Sequence, residues 1–431
     1  MTLSIPTRYA LVGCGGRGLT MFAEPIVNNF SAKAVLAGLC DINQGRMDYL
    51  NRFLKTDIPS FADFDRMMSE VKPDVVIVCT PDSLHHDFIL RSFTYGCDVI
   101  SEKPMTTDNA KCREILEAEK ATGRKVTVTF NYRFSPYVTK VRELLAQGMI
   151  GKVLSADFHY QLDRSHGADY FRRWHRRKEN SGGLLVHKST HHFDIVNWWL
   201  GQDPEEVFAY GSLQFYGPNR NERGKNCRSC DHAKTCEFYF DINASTVVGM
   251  PINNKELYAD TEHLDGYIRD GCVFDPEIDI EDTMTLAVRY SGGTQMSYSL
   301  NAHCIYEGWR IAFNGTEGRL EAAEWHSGPD VVKDKGPQRI SIHHWKQPIE
   351  TFEVLADHSS GHGGSDARLH RMLFDAPQPD PLGHMATSRA GAMSILIGIA
   401  GNRSIAEGQA ISIETLLKDE TTVRAEKCSA T

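Results

Sequence analysis

The sequence predicts an α/β protein of two units: a parallel sheet covered on both faces, then an α+β region built on a mostly antiparallel sheet. Three observations predict it. Short apolar runs alternate with helix-length segments up to about residue 130. A glycine-rich turn joins the first apolar run to the first helix. Beyond residue 130 the runs lengthen and alternate apolar with polar, the pattern of strands with one face buried.

Residues 9–12, 34–39, 75–79, 98–100 and 126–130 read as strands, being short, rich in β-branched types and bounded by turn residues or charges. Between them, 64–71, 84–95 and 108–122 read as helices, the last capped by Asp108 and ended by Gly123. In the second unit 137–147 reads as a helix, and 153–161, 207–213, 283–290, 294–300, 309–314 and 339–344 as strands packed on helices from one side. A helix over 386–407, followed by Gly408, closes the pattern. These signals divide the chain into 1–130 and 131–431, with an irregular, cysteine-rich insertion near 216–282 and a loop over 325–338.

Composition narrows the function classes. Lys plus Arg number 47 and Asp plus Glu 56, a net charge of −9, which argues against a nucleic-acid binder. Hydrophobic residues at 41% and charged ones at 24% fit a globular protein of 431 residues with real cores. No run approaches the ~20 apolar residues of a membrane span. The first nine residues lack the blocks of a signal peptide, and Cys14, Cys40, Cys79, Cys97, Cys112 and Cys304 are scattered through the chain, so a reducing, cytoplasmic setting is expected.

The turn reads Gly13-Cys14-Gly15-Gly16-Arg17-Gly18. Between strand and helix this order suits a diphosphate: Gly13 permits the tight turn, Gly15 the close approach of backbone, and Gly18 the packing of helix on strand. The amides of the helix start, including those of Gly16 and Arg17, face the phosphates. Asp41, 23 residues beyond Gly18, ends the second strand and is placed to accept from ribose hydroxyls; no cation follows at Ile42 or Asn43, which favours NAD over NADP. In such a Rossmann unit the nicotinamide lies over the strand ends, which puts Thr80, Pro81, Glu102 and Lys103 at the reaction centre.

These stretches, with Thr80-Pro81-Asp82-Ser83-Leu84-His85, Glu102-Lys103-Pro104, Asn131-Tyr132-Arg133-Phe134, Gly148–Gly151, 183–194, Asn314–Gly318 and the small-residue helix near 386–408, resemble the Gfo/Idh/MocA (glucose–fructose oxidoreductase/inositol dehydrogenase) family over nearly the whole chain. The resemblance implies a Rossmann domain and an α/β domain with a large open-faced sheet. It also implies hydride transfer between a tightly held nicotinamide cofactor and a sugar or polyol hydroxyl, and a homodimer or homotetramer through that sheet. It adds His85 and Asn131 to the cofactor contacts. By resemblance Lys103 and His191 are catalytic. The position four before His191, an Asp in the family pattern, is His187 here, and a Lys at 188 resembles one subgroup.

The chemistry also follows from the residues. Removing a carbinol hydride requires removing the hydroxyl proton, which suits a histidine or a lysine with depressed pKa. Lys103, Lys188, His187 and His191 in one pocket would lower one another's pKa values; Lys103 and His191 would handle the hydroxyl proton, with Lys188 as a third catalytic residue polarising or orienting the same oxygen. If 187–194 is one helix, His187, His191 and Asp194 share a face beside Lys188. Tyr132 and Tyr160 are further substrate-site candidates. Arg172, Arg173, Arg176, Arg177 and Lys178, interleaved with Trp174 and His175, suggest an anion site, a polyhydroxyl contact or an interface; Trp174 could stack on a sugar ring. Cys227-x-x-Cys230-x5-Cys236 has zinc-ligand spacing, with Cys272 or His232 as fourth ligand of a structural site.

The expected activity is therefore NAD-dependent oxidation of a ring hydroxyl of a sugar, glycoside or cyclitol. The alternative is a redox glycosidase, in which transient C3 oxidation permits elimination, water addition and re-reduction. A nucleotide-sensing protein without chemistry is disfavoured by Lys103 and His191.

Overall fold

The computed structural model describes residues 5–247, 251–331, 336–355, 357, 361–375 and 378–418. The first sheet contains β1 (Thr7–Val12), β2 (Ala34–Cys40), β3 (Ser60–Phe61), β4 (Val75–Val78), β5 (Asp98–Ser101) and β6 (Val126–Val128), all parallel in the order β6-β5-β4-β1-β2-β3. The order reverses between β1 and β4, so the carboxyl ends of these strands open a crevice beside the glycine turn. Local signals set the helices: Asn43, Asp63 and Asp108 each accept from a backbone amide of the first helical turn, and Gly123 ends Asn109–Thr122 in the left-handed region.

The second sheet contains β7 (Val153–Asp163), β8 (Pro204–Ser212), β9 (Thr283–Tyr290), β10 (Gln295–Cys304), β11 (Glu307–Gly315), β12 (Gly318–Ser327), β13 (Gln338–His344) and β14 (Glu350–Val354). Its neighbours are antiparallel except β7 and β10, which run parallel. Along β9 buried and exposed residues alternate, with Met284, Leu286, Val288 and Tyr290 facing inward. The helices Thr190–Leu200 and Ser388–Glu407 cover the apolar face, and Thr190 Oγ1 lies 2.8 Å from Ser394 Oγ. Asp157, His159, Arg310, Arg319, Glu321 and Arg339 stand along the other, open face.

Two short strands close the edges. β15 (Ala386–Thr387) returns to pair antiparallel with β6 of the first sheet, and β16 (Ile411–Ser412) pairs with β8 of the second. Strands β12 and β14 and the helix Gly361–Phe374 are not foreseen from the sequence. In β12 the run Leu320-Glu321-Ala322-Ala323-Glu324 consists of helix formers; pairing with β11 on one side and β13 on the other decides its conformation.

Candidate active site

The glycine turn is dictated by close approach. Gly13 has φ +94°, and a Cβ there would stand 2.4 Å from the Cys79 carbonyl oxygen; one on Gly18 would stand 2.2 Å from the Gly13 oxygen. From Gly16 the chain winds continuously to Asn28, with a π-helical turn over Leu19–Ala23. Asp41 closes β2: its Oδ2 accepts from the Cys14 amide at 2.7 Å and its Oδ1 from the Asn43 amide at 2.8 Å. Burial raises the Asp41 pKa, with Arg46 and the two amides opposing that rise. Arg46 stands 3.9 Å from Asp41 but is held by Asp265 at 2.6 Å, a cation near the ribose end that the sequence reading did not include. A glycine cradle without room for side chains, a carboxylate at the end of β2 and a crevice over the strand ends together fit a dinucleotide.

One cleft of about 600 Å³ starts at this cradle and ends at the second domain. Gly13, Gly15, Gly16, Arg17, Gly18, Asp41, Thr80, Pro81, His85, Glu102 and Lys103 line it from the first domain, and Arg173, Trp174, His175 and His187 from the second. Arg17 Nε binds Glu102 at 2.7 Å, and the other Glu102 oxygen accepts from the Lys103 amide at 3.0 Å. Lys103 Nζ donates to the His187 carbonyl at 3.3 Å. His85 braces the wall: its two ring nitrogens lie 2.8 and 2.9 Å from the carbonyl oxygens of Pro104 and Thr80.

At the far end His187 Nδ1 meets the buried Asp82 carboxylate at 2.5 Å. No hydrogen-bond partner for His187 Nε2 is present among the described residues. Burial, then the charges of Lys103, His175, Arg173 and His191, hold the His187 pKa well below the usual imidazole value. Burial likewise raises Asp82, against the charge of Lys103. Lys103 is itself lowered by burial, against Glu102 and Asp82. A neutral His187 therefore donates from Nδ1 to Asp82 and presents Nε2 as an acceptor. His175 stacks on Trp174 with centroids 3.7 Å apart and lies edge-on to His187 at 4.2 Å. The sequence shows Asp82 only as part of a motif; its meeting with a histidine 105 positions away is a product of the fold.

Six expected site residues stand outside the cleft lining. The segment 187–194 is not one helix: Leu184–His187 and Thr190–Leu200 are separate, and His187, His191 and Asp194 meet different partners, Asp82, Tyr132 and Arg133. Asp194 gives both carboxylate oxygens to Arg133, at 2.7 and 2.6 Å, in a buried pair, and so braces the domain in place of shaping the substrate pocket. His191 has its ring 5.1 Å from that of Tyr132 and 6.2 Å from that of Phe130. Lys188 is buried with its ammonium 5.0 Å from the centroid of the Tyr160 ring, and burial depresses its pKa to about 8 against the pull of Glu307. Tyr160 donates to Glu307 at 3.2 Å, and the Asn131 amide donates to Asp366 at 2.7 Å.

The basic stretch pairs chiefly with the insertion. Arg176 binds Asp275, Arg177 binds Asp279 and Lys178 binds Glu281, so acids offset the like charges. Arg173 alone among these cations lines the cleft, bound to Asp169 at 3.2 Å.

The expected zinc ligands Cys227, Cys230, Cys236 and Cys272 are not gathered: among the described residues no group of three or more His, Cys, Asp or Glu is placed to hold a metal ion. Cys227 Sγ instead accepts from Arg172 Nη1 at 3.0 Å, and Arg172 also binds the carbonyls of Gly271 and Phe238. A buried guanidinium, a donor of fixed charge, thus ties the insertion together where a metal was expected. The ten cysteines of the described residues are free thiols, and no helix among those residues is long and apolar enough to cross a membrane.

Two family descriptions match: the NAD-binding Rossmann fold of the GFO/IDH/MocA oxidoreductases over residues 7–130, and the C-terminal alpha/beta domain of that family over 142–413. YteT of Bacillus subtilis strain 168, named an oxidoreductase with no substrate in its name, is 40% identical over 95% of this chain and 98% of its own. The inositol 2-dehydrogenase of Rhizobium meliloti strain 1021 is 27% identical over 48% of this chain and 58% of its own. The D-glucoside 3-dehydrogenase of Escherichia coli K12 is 25% identical over 51% and 61%, so this chain spans somewhat over half of those two relatives. In fold, the WlbA dehydrogenase of Bordetella pertussis, solved with NADH and UDP-GlcNAcA, superposes with TM-score 0.63 at 18% identity over 95% of this chain and 99% of its own.

Proposed function

We propose that this chain, which belongs to the GFO/IDH/MocA oxidoreductase family, oxidises a ring hydroxyl of a sugar, glycoside or cyclitol with NAD. The observation that carries the reading is the meeting of Lys103, Asp82 and His187 at one end of the cleft that begins at the glycine cradle. NAD supplies the hydride acceptor when bound. His187 Nε2 takes the hydroxyl proton as the carbonyl forms, while Asp82 fixes the tautomer and steadies the charge that the ring acquires. Lys103, anchored to the His187 carbonyl, orients the same oxygen. Arg173 and Trp174 offer a hydrogen-bonding fork and a flat face for a polyhydroxyl ring. His191 and Lys188, neighbours of His187 in the chain but outside the cleft lining, are assigned positioning roles. Relatives that act on inositol and on D-glucosides support this substrate class. The expected homo-oligomer would form through the open face of the second sheet.

The test is incubation of the full chain and NAD with a panel of pyranosides and inositols, measuring reduced nicotinamide and carbonyl product together. Equal amounts of both from one substrate class are expected. Absence of carbonyl product across the panel would sink the reading, and glycoside cleavage with no net redox change would select the glycosidase.

A further inference from the structure

The cysteine-rich insertion does more than fill a loop. Its distal part, residues 251–267, lies against the first βα unit of the Rossmann domain. Ile252 and Leu257 are fully buried in the same apolar cluster as Leu11, Leu19, Met47 and Leu50, so this segment is part of the first domain's core. The Gly16 amide donates to the Tyr258 hydroxyl at 2.8 Å. Asn43, whose side chain caps the helix after β2, donates to the Thr261 carbonyl at 2.9 Å. A Cβ on Gly45 would stand 2.5 Å from Thr261 Cγ2, which measures how closely the two segments approach. Asp265 holds Arg46 at 2.6 Å with both side chains nearly buried, and the guanidinium lies 5.5 Å from the rings of both Tyr258 and Tyr267. At its base the segment is tied by Arg228 to Glu262 and Asp270.

These contacts run from the diphosphate end of the cradle to its ribose end. Tyr258 is 7% exposed and lines the cleft. Its hydroxyl oxygen accepts the Gly16 proton, and no acceptor for its own proton exists among the described residues. That leaves one buried donor facing the place where the glycine turn puts a diphosphate.

We infer that residues 251–267 roof the dinucleotide site and slow the release of NAD, with the Tyr258 hydroxyl relaying the Gly16 amide to a diphosphate oxygen. The inference rests on the NAD-binding fold and not on the choice of substrate, so it fails or stands separately from the oxidation proposed above.

The test is dissociation of NAD from the full-length protein, stripped and reloaded, then diluted and passed through gel filtration at intervals, with retained nucleotide measured by chromatography. Wild type is expected to hold NAD through the filtration. Tyr258→Phe, which removes the hydroxyl and leaves the ring, should release it about tenfold faster, as expected for loss of a hydrogen bond to a charged group. Asp265→Asn, which frees Arg46 without cutting the roof's apolar anchor, should also accelerate release. Loss of all NAD from wild type during the filtration would overturn the roof. Release from Tyr258→Phe that is unchanged or slower would overturn the relay, because Gly16 would then serve the diphosphate better alone. Thermal melts of the stripped proteins verify that both variants are folded.

Discussion

The glycine turn and His187 of the histidine segment 183–194 line a single cleft, yet the two regions are built by opposite means. The turn works through backbone: Gly13 and Gly18 matter for atoms they lack, and their neighbours at 41 and 79 are the ends of adjacent strands. The histidine segment works through side chains recruited from afar: His187 from Asp82, His192 from Tyr298, Asp194 from Arg133. In the first region position in the motif sets the role. In the second the role is set by partners 61 to 106 residues away.

That contrast can be broken at His187. His187→Ala should lower kcat by about 10²- to 10⁴-fold, the range for a lost general base, with NAD affinity unchanged. His191→Ala should cost less, and the reverse order would move the base to His191. Because the His187 pKa is depressed, the acid limb of the wild-type rate profile should fall below the ordinary imidazole value of about 6.5. The depressed Lys103 should bring the alkaline limb below about 10.5. Gly13→Ala probes the other region: a Cβ against backbone, at positive φ, should weaken NAD binding about 100-fold by calorimetry.

The smallest expected effect sharpens the comparison. Lys188 is buried with its pKa lowered to about 8 from 10.5, so below pH 8 the folded state carries the penalty of a charge that the unfolded chain solvates. That penalty is relieved as pH rises from 8 towards 10.5. Lys188→Met should therefore stabilise the protein by about 1–3 kcal/mol at pH 7, less as pH rises and not at all above about 10.5, in denaturant titrations. No equivalent gain is expected anywhere in the glycine turn.

Legibility followed the same division. The strands of the first unit, the Asp108 cap, the Gly123 stop and the dinucleotide cradle were readable because local pattern and tertiary need agree there. The open-faced second sheet was readable in outline from alternation, but β12 was hidden by its Glu and Ala content. The cysteine spacing suggested zinc, and only the fold reveals Arg172 among those thiols. His187 and His191 were both visible as candidates; that the fold sets His187 on the cleft beside Asp82 is something no spacing rule announces.

The two-residue strand β15 has a consequence for how the chain comes off the ribosome. The parallel sheet is complete but for one edge once β6 has emerged, and that edge waits for Ala386 and Thr387 roughly 250 residues later. At ~5–20 residues per second this is about 12–50 s with Val126–Val128 bare. Throughout that interval the newborn sheet presents a β-edge able to pair with other chains. A chain ended near residue 130 would never cover it.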